Sequence, residues 1–371
     1  MGRIPHMKFS ISKDDFLAGL QQVQHVVSTR TTLPILSNVL LRAGKAGLEL
    51  TTTDLDVGVS GTITASIQEV GATTLPARRL ATIIRELPAD EVEVSVDEKN
   101  IAHIRSGPSY FKVMGLAADE FPPLPQFPDA KEFKLEQNVL KDCLRKTSYA
   151  ISTDETRYVL NGILCSFKES MLTMVATDGR RLAMMEQELE FPQSHELEII
   201  IPTKAVNEIQ RLLSDSGEVV LKIAANQISF ELGNYTLVSK LIEGNYPNYR
   251  QVIPPESRER IALDREPLLK TLSRVSLLLS DKSNSIKLHF GKDSLEVLAA
   301  AADVGEARET LPISYSGPEM TIAFNPEFLM APLRNLLSDE IQLHLIDDIS
   351  PGVVRSGSNF LYVLMPMRVN N

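Results

Sequence analysis

The chain has 371 residues and a formal charge of −10, and 43% of its residues are hydrophobic and 23% charged. The length predicts two or three domains with separate cores, and the composition excludes a wholly disordered chain. Two cysteines, Cys143 and Cys165, exclude a disulfide framework and a cysteine-rich metal site. No apolar run approaches the roughly 20 residues that cross a bilayer. We therefore expect a cytoplasmic protein, with residues 1–6 a cloning-derived extension before Met7.

Helices and hairpins alternate along the chain in the same order three times. Apolar residues at helical spacing predict a first helix in each copy, at residues 14–27, 137–150 and 266–279. An alternating hairpin follows and ends before an aspartate, at Asp54, Asp178 and Asp303. A second helix is predicted to carry a proline in its first turn, where the missing N–H is harmless, at Pro76, Pro202 and Pro326. Two strands, a turn glycine and a last strand complete each copy, with the glycines at Gly107, Gly233 and Gly357.

These landmarks recur at intervals of 124 to 126 residues, which predicts a threefold duplication of one helix–strands–helix–strands unit. The predicted fold class is α+β, with three repeated domains that each combine sheet with two helices. Proline-rich stretches at residues 121–128 and 246–255 separate the copies, because neither a helix nor a central strand tolerates them. The predicted domains are residues 7–127, 128–253 and 254–371.

A net charge of −10 argues at first sight against a nucleic-acid partner, but the charge is unevenly distributed. The six predicted helices together carry +5, which leaves −15 for the rest of the chain. Basic residues four or seven apart share one helix face, as in the pairs Lys141 and Arg145, Lys270 and Arg274, Arg78 and Arg85, and Lys204 and Arg211. A single such helix is most simply a solvated surface helix. The same bias in several copies of one unit favours an anionic partner.

The standard catalytic and cofactor-binding motifs are absent from the sequence. There is no GxGxxG after a strand, no GxxxxGK[ST], no HExxH and no GxSxG, and the six histidines are isolated from one another and from the cysteines. We therefore predict no catalytic residues, no metal site and no cofactor. Asp54 and Asp56 have the spacing of a metal-binding pair, but turn-forming aspartates explain them more simply.

Seven short motifs stand out within the threefold pattern. They are Leu33-Pro-Ile-Leu36, Pro76-Ala-Arg78, Arg157-Tyr-Val-Leu-Asn-Gly162, Val175-Ala-Thr-Asp-Gly-Arg-Arg-Leu-Ala183, Tyr246-Pro-Asn-Tyr-Arg250, Tyr315-Ser-Gly-Pro-Glu-Met320 and Met365-Pro-Met-Arg368. In type and order they closely resemble the bacterial sliding clamp family, the beta subunits of DNA polymerase III. The resemblance covers residues 7–368.

The resemblance implies a non-catalytic processivity factor of DNA replication. Members of this family form a homodimer, a closed ring in which three-domain chains join head to tail with helices inside and sheets outside. The ring encircles double-stranded DNA without sequence preference. It tethers the replicative polymerase, the clamp loader and repair proteins through short linear peptides, and it involves no membrane and no cofactor.

Family resemblance also assigns three sets of site residues. The positions matched to the DNA-facing surface are Arg30, Arg78, Arg79, Arg85, Lys204 and Arg211. The positions matched to the peptide-binding pocket are Arg157, Leu160, Thr177, Gly179, Arg181, Leu182, Pro247, Val363, Leu364, Met365, Pro366, Met367 and Arg368. The positions matched to the dimer interface are Phe111, Val113, Leu277 and Leu278. The chain departs from the family pattern at Val159, at Arg180 and beyond Arg368, which puts its peptide preference in doubt.

Two other interpretations stay open at this point. A peptide-binding scaffold of three sheet-rich domains that never touches DNA would share the repeats and the terminal Met-Pro-Met motif. A DNA-processing enzyme such as a nuclease is disfavoured because the sequence has no carboxylate or histidine cluster. Retention on circular but not on linear duplex would separate a clamp from the scaffold, and metal-dependent cleavage would support the enzyme.

Overall fold

The structure is a computed structural model that describes residues 7–28, 32–279 and 284–368. Its elements follow a βαβββ order that occurs six times, twice in each sequence copy. The first copy holds β1 (Met7–Ser12), α1 (Lys13–Val23), β2 (Asn38–Gly44), β3 (Gly47–Thr53), β4 (Val57–Ile63), an additional β5 (Ser66–Glu69), β6 (Gly71–Pro76), α2 (Ala77–Glu86), β7 (Glu91–Val96), β8 (Ile101–Ser106) and β9 (Ser109–Met114).

The middle and last copies repeat this order without the additional strand. The middle copy holds β10 (Lys131–Glu136), α3 (Gln137–Thr147), β11 (Gly162–Lys168), β12 (Met171–Thr177), β13 (Arg181–Glu188), β14 (Leu197–Pro202), α4 (Thr203–Leu212), β15 (Glu218–Ala224), β16 (Gln227–Leu232) and β17 (Tyr235–Lys240). The last copy holds β18 (Glu259–Asp264), α5 (Arg265–Val275), β19 (Ile286–Gly291), β20 (Ser294–Ala301), β21 (Gly305–Pro312), β22 (Met320–Phe324), α6 (Pro326–Asn335), β23 (Glu340–Leu345), β24 (Gly352–Ser356) and β25 (Phe360–Leu364).

The three predicted first helices are confirmed as α1, α3 and α5. Each is shorter than predicted and ends in a tighter 3₁₀ turn, at Gln24–Val26, Ser148–Ala150 and Ser276–Leu278. The prolines of the second helices were placed correctly only in α6, where Pro326 is the first helical residue and the Asn325 side chain caps the helix. Pro76 and Pro202 instead end the preceding strands, because they pair with Asn38 and Gly162.

The strands of the described residues form four sheets. Each sequence copy consists of two βαβββ units, here called its first and second halves, and the first strand of each half pairs with a strand of the other half. The strand orders are β5-β1-β7-β8-β9 in sheet 1, β10-β15-β16-β17-β4-β3-β2-β6 in sheet 2, β14-β11-β12-β13-β25-β24-β23-β18 in sheet 3 and β21-β20-β19-β22 in sheet 4. Sheets 2 and 3 are each two four-stranded halves joined edge to edge. The joints are antiparallel pairs of last strands, β17 with β4 and β13 with β25.

The chain divides into two compact units that cut through its middle copy. Unit 1 comprises residues up to Lys141 together with Lys204–Leu241, and unit 2 comprises Asp142–Thr203 with the residues from Ile242 onward. Sheets 1 and 2 lie in unit 1, and sheets 3 and 4 lie in unit 2. The two halves of the middle copy belong to different units because its strands complete sheets begun by the copies on either side. The division into domains 7–127, 128–253 and 254–371 stays a prediction from the sequence repeat.

Each unit buries the apolar stripe of its helices against the sheets. In unit 1, α1 packs on α2, β3 and β4, and the rings of Phe9 and Phe16 meet edge to face with centroids 5.9 Å apart. In unit 2, α5 packs on α6, β20 and β21, over the fully buried Phe290 and Phe324. Burial of each such side chain contributes about 1.5–3 kcal/mol. Within the described ranges no helix is long and apolar enough to cross a membrane.

Both cysteines are buried free thiols in unit 2, so we predict that they are unreactive in the folded protein. Burial, with a smaller effect of Asp142, raises the pKa of Cys143 to about 12, and burial raises the pKa of Cys165 further. Because the thiolate is the reactive species, a disulfide reagent at pH 8 should label neither thiol in the native protein and both in guanidinium chloride. Rapid labelling of the native chain would contradict this burial.

Candidate functional site

Helix α2 presents a row of exposed arginines. Its buried face is Ala77, Leu80, Ala81 and Ile84, which leaves Arg78, Arg79 and Arg85 exposed. None of these three guanidinium groups forms an ion pair with a carboxylate of residues 7–28, 32–279 or 284–368. The row is therefore free to meet a diffusible or macromolecular anion.

The two predicted DNA contacts on α4 are already paired inside unit 1. The Lys204 ammonium forms an ion pair with the Asp54 carboxylate and donates a hydrogen bond to the Val26 carbonyl at 3.2 Å. Arg211 pairs with Glu208, a buried carboxylate one helical turn earlier. From the sequence, Asp54 is only a turn residue, and no local pattern indicates Glu208 as a partner of Arg211. Arg30, the remaining predicted DNA contact, lies outside the described residues.

Carboxylates also partner the basic residues of the other helices. Lys141 lies 2.7 Å from Asp215, Arg145 pairs with Asp142, and Arg274 lies 2.7 Å from Glu309. Three of these partners, Asp54, Asp215 and Glu309, lie outside the helices. The helical charge of +5 is consequently partly neutralised by the acidic remainder, which a sum over helical segments alone cannot reveal.

Sheet 3 carries an apolar cluster on the face that the linker after β17 covers, here called the linker face. The linker-face cluster consists of Leu164, Val175, Leu182, Met184, Ile200, Val353, Leu361 and Val363. Strand alternation places these side chains on one face, since Leu182 pairs with Val363 and Val353 pairs with Val363. Five linker or flanking residues pack on the cluster, namely Val159, Ile242, Tyr246, Tyr249 and Ile253. None of the five is among the residues predicted for the pocket, although Tyr246 and Tyr249 belong to the Tyr246–Arg250 motif and Val159 is a departure from the family pattern.

A tight turn at residues 177–181 borders the linker-face cluster. The Thr177 hydroxyl donates to the Arg181 carbonyl at 2.6 Å and accepts from the Gly179 N–H at 3.1 Å. Gly179 has φ +86°, which favours glycine, and a Cβ there would lie 2.8 Å from Nη1 of Arg157. The structure thus brings Arg157, Thr177 and Gly179 together at this edge, with Leu160 buried nearby in the turn before β11.

Arg181 is an exception among the predicted pocket residues, because it lies on the opposite face of sheet 3. Strand alternation separates it from Leu182, and its guanidinium stacks 4.3 Å from the ring centroid of Phe328 in α6. Nε of Arg181 also lies 3.0 Å from the Asp178 carboxylate. These contacts make Arg181 a support of the 177–181 turn, and its assignment to the peptide-binding pocket stays a prediction.

The C-terminal segment extends the same edge of sheet 3. Leu364 is buried as the last residue of β25, whereas Met365 is 43% exposed. The Met365 N–H donates to the Arg180 carbonyl at 3.1 Å and the Met367 N–H donates to the Ala323 carbonyl at 2.7 Å, which fixes Pro366 between two anchored residues. Arg368 and Pro247 are exposed, and Pro247 lines a cleft of about 630 Å³ with Tyr246 and Tyr249.

The residues predicted for a dimer interface differ in their exposure. Leu277 is 77% exposed in the 3₁₀ turn after α5, and its neighbour Leu278 is half-buried. Phe111 is 37% exposed on β9, at the edge of sheet 1. Val113 is buried in the single chain, and its assignment to the dimer interface stays a prediction. Its neighbours Lys112 and Met114 are exposed, as strand alternation requires.

Comparisons with known proteins decide the family. Models of the DNA polymerase III beta subunit match this chain with their N-terminal domain at residues 7–125, their central domain at 134–248 and their C-terminal domain at 250–368. The chain belongs to the beta sliding clamp family. It is accordingly a DNA sliding clamp with a three-domain clamp fold, a processivity subunit of DNA polymerase III and not an enzyme.

Individual relatives agree over nearly the whole length. The beta sliding clamp of Chlamydia muridarum is 35% identical over 98% of this chain and 100% of its own, and that of Pseudomonas aeruginosa is 34% identical with the same coverage. The solved Bacillus subtilis clamp superimposes with a TM-score of 0.94 at 30% identity, over 98% of this chain and 100% of its own. A Bartonella birtlesii clamp, solved bound to griselimycin, gives 0.92 at 37% identity with the same coverage.

Proposed function

We propose that two copies of this chain join head to tail into a closed ring that encircles duplex DNA. The observation that carries the proposal is the pairing of last strands. Four of the six βαβββ units pair their last strands inside the chain, at the joints β17–β4 and β13–β25. Within the described residues, β9 and β21 are the last strands that end a sheet unpaired. Exposed edges of this kind are templates for pairing with another chain.

The pairing pattern of the two internal joints predicts which strands pair at the contact between two molecules. In each joint the last strand of a second half pairs with the last strand of the first half in the preceding copy. Continued beyond the chain, the rule pairs β9 with β21 of a second molecule. Such contacts are heterologous, and two of them close a ring of two chains.

Equivalent side chains support this interface. Leu237, Tyr362 and Phe111 are each the third residue of the last strand in a second half, and the first two are fully buried in the internal joints. Tyr362 packs there on Tyr149 of the 3₁₀ turn after α3, with ring centroids 5.9 Å apart. The residue equivalent to Tyr149 after α5 is the exposed Leu277. We therefore expect Leu277 to pack on Phe111 of the partner chain.

The proposed ring is wide enough for duplex DNA. The described residues contain six helices, so two chains contribute twelve helices to the proposed ring. At about 10 Å between neighbouring helix axes, the circumference of the ring is roughly 120 Å and its axis-to-axis diameter about 38 Å. Subtraction of a helix radius of about 5 Å on each side leaves an opening of about 28 Å. Six helices alone would leave only about 9 Å by the same spacing. Retention by enclosure does not require tight phosphate contacts, so weak contacts permit sliding.

The arginine row of α2 is the best-supported candidate for those weak contacts. Its three guanidinium groups are exposed and unpaired within the described residues, whereas Lys204 and Arg211 must exchange a carboxylate for a phosphate. Because Asp54 and Glu208 are largely buried, such an exchange would leave a carboxylate unpaired in a poorly solvated position and is unfavourable. We expect α2 to dominate the salt-dependent part of DNA binding.

We also propose that partner proteins dock a short apolar peptide beside the linker-face cluster. Arg157, Thr177, Gly179, Pro247 and Met365 surround its edge. Methionine and proline offer adaptable apolar contact to varied peptides. Leu182 and Val363 form the buried floor. The replicative polymerase, the clamp loader and repair proteins are the proposed partners. A clamp loaded on circular duplex should stay bound and should leave linear duplex through its ends.

Charged substitutions in the 3₁₀ turn after α5 should convert the dimer into a monomer. The double change Leu277→Asp and Leu278→Asp places carboxylates opposite the proposed apolar contact, so sedimentation at micromolar protein should give the chain mass of 41.1 kDa. Leu337→Asp is the matched control, because Leu337 is also 77% exposed but lies after α6. A dimer that persists in the double variant would place the interface elsewhere.

Neutralisation of the α2 arginines should weaken DNA binding without changing sequence preference. The triple change of Arg78, Arg79 and Arg85 to Gln should flatten the plot of log affinity against log salt by about 0.9 for each phosphate that the helix no longer neutralises. The control removes the same charge from three exposed loop lysines, Lys45, Lys99 and Lys292. Equal effects of the two triples would show that only net charge matters.

A charge at the edge of the linker-face cluster should abolish peptide binding while the ring stays intact. Met365→Asp introduces a carboxylate at a residue that is 43% exposed, so folding should tolerate it. Fluorescence anisotropy of a labelled apolar peptide should report at least a tenfold loss of affinity, and sedimentation should still report a dimer. Val70→Asp, at an exposed residue of unit 1, is the control. Unchanged affinity in Met365→Asp would refute the pocket.

A further inference from the structure

A basic cleft of about 340 Å³ lies on the linker face of sheet 3, next to the linker-face cluster. Arg260, His344 and Arg355 line it, and so does Val353, which is also a member of the cluster. The strand register explains the convergence of the three basic side chains. Arg260 pairs with His344, and Arg355 pairs with Gln342, two residues before His344, so all three point to one face.

No carboxylate of the described residues forms an ion pair with the arginines of this cleft. Arg355 is half-buried and forms no side-chain hydrogen bond or ion pair with any described residue, and Arg260 has only the Ser257 hydroxyl at 3.4 Å. Glu256 also lines the cleft but pairs with neither arginine. Burial lowers the pKa of His344, and Arg355 and Arg260 lower it further. The helix arginines Arg211, Arg274 and Arg334, in contrast, are paired with carboxylates.

We infer that this cleft binds the carboxylate of an acidic residue in the same peptide that docks beside the linker-face cluster. The inference rests on the proposed peptide pocket. Arginine guanidinium groups suit carboxylates because they donate paired hydrogen bonds. The shared residue Val353 makes the two sites continuous, so one extended peptide reaches both.

The other flank of the same face favours a peptide over nucleic acid. Glu186, Glu196 and Glu198 line the cleft beside Tyr246 and Tyr249, on the β11–β14 side of the cluster. Glu169 also lines that cleft, and its basic residues are Arg250 and Lys168, which lies 2.6 Å from Glu198. The four carboxylates outnumber the two cations, so this flank disfavours a phosphate backbone, whereas a peptide with one acidic end avoids it. The face therefore orients the peptide, with its acidic end toward β18.

Sheet geometry gives the position of the acidic residue. Neighbouring strands are about 4.8 Å apart, so His344 lies roughly 10 Å from Val363 and Arg260 roughly 14 Å from it. An extended peptide advances about 3.3 Å per residue. The acidic residue is thus three or four positions from the apolar anchor, on one side only.

The test compares matched peptides on the full-length protein. Fluorescein-labelled peptides carry one Leu-Phe anchor and either Asp or Asn four positions away, on either side of the anchor. We expect the Asp peptide of one orientation to bind five- to tenfold more tightly than its Asn counterpart. The preference should fall below twofold in the variant R260Q/R355Q, whereas R258Q, which removes a neighbouring exposed arginine, should retain it. The Asn peptide should bind all three proteins equally.

Several outcomes would overturn the inference. Equal binding of the Asp and Asn peptides to the unmodified protein, with binding still abolished by Met365→Asp, would leave the pocket standing and remove the carboxylate site. A preference that persists in R260Q/R355Q would place the acidic contact elsewhere. Failure of every peptide to bind would overturn the proposed pocket together with this inference. A short single-stranded oligonucleotide that binds the unmodified protein but not R260Q/R355Q would assign the cleft to phosphate. Thermal unfolding and the single variants R260Q and R355Q control for misfolding.

Discussion

Backbone hydrogen bonding at the sheet edges is the constraint on which this structure depends. Every βαβββ unit ends in a strand whose outer N–H and C=O groups require partners. The chain satisfies four such strands internally, through β17–β4 and β13–β25. The same joints bring halves of different sequence copies into one sheet, which is why the compact units cross the boundaries of the repeat. Within the described residues β9 and β21 each end a sheet unpaired, and these are the edges at which we propose that a second molecule pairs.

Glycine and aromatic residues show how closely the internal joints fit. In the β17–β4 joint a Cβ at Gly61 would lie 2.3 Å from the ring of Tyr235, so only glycine permits this approach. In the β13–β25 joint Tyr362 is completely buried and donates a hydrogen bond to the Phe328 carbonyl at 2.7 Å. Such contacts stabilise edge pairing beyond its backbone bonds. The exposed Phe111 and Leu277 are the equivalent groups without a partner in the single chain.

The ion pairs of individual side chains describe the electrostatics of this protein better than its net charge does. In the part of the chain that the structure describes, the acidic remainder supplies carboxylates to α3, α4 and α5 but none to the three arginines of α2. A sliding protein benefits from this arrangement, since each added phosphate contact would increase friction along with affinity. On sheet 3 the flanks of one face differ in sign, with glutamates beside β11–β14 and arginines on β18 and β24. The proposed peptide would take its direction from that difference.

Local signals in the amino-acid sequence were sufficient for the repeat, the helices and the family, because helical periodicity, turn glycines and short motifs survive divergence between copies. Motif resemblance also indicated the neighbours of the 177–181 turn. Contacts that depend on distant strands leave no such local signal. Lys204 meets Asp54 across 150 residues, and strand register turns Arg181 away from Leu182 and buries Val113. The basic cleft likewise joins Arg260, His344 and Arg355, which share one face because β18, β23 and β24 pair in the folded chain.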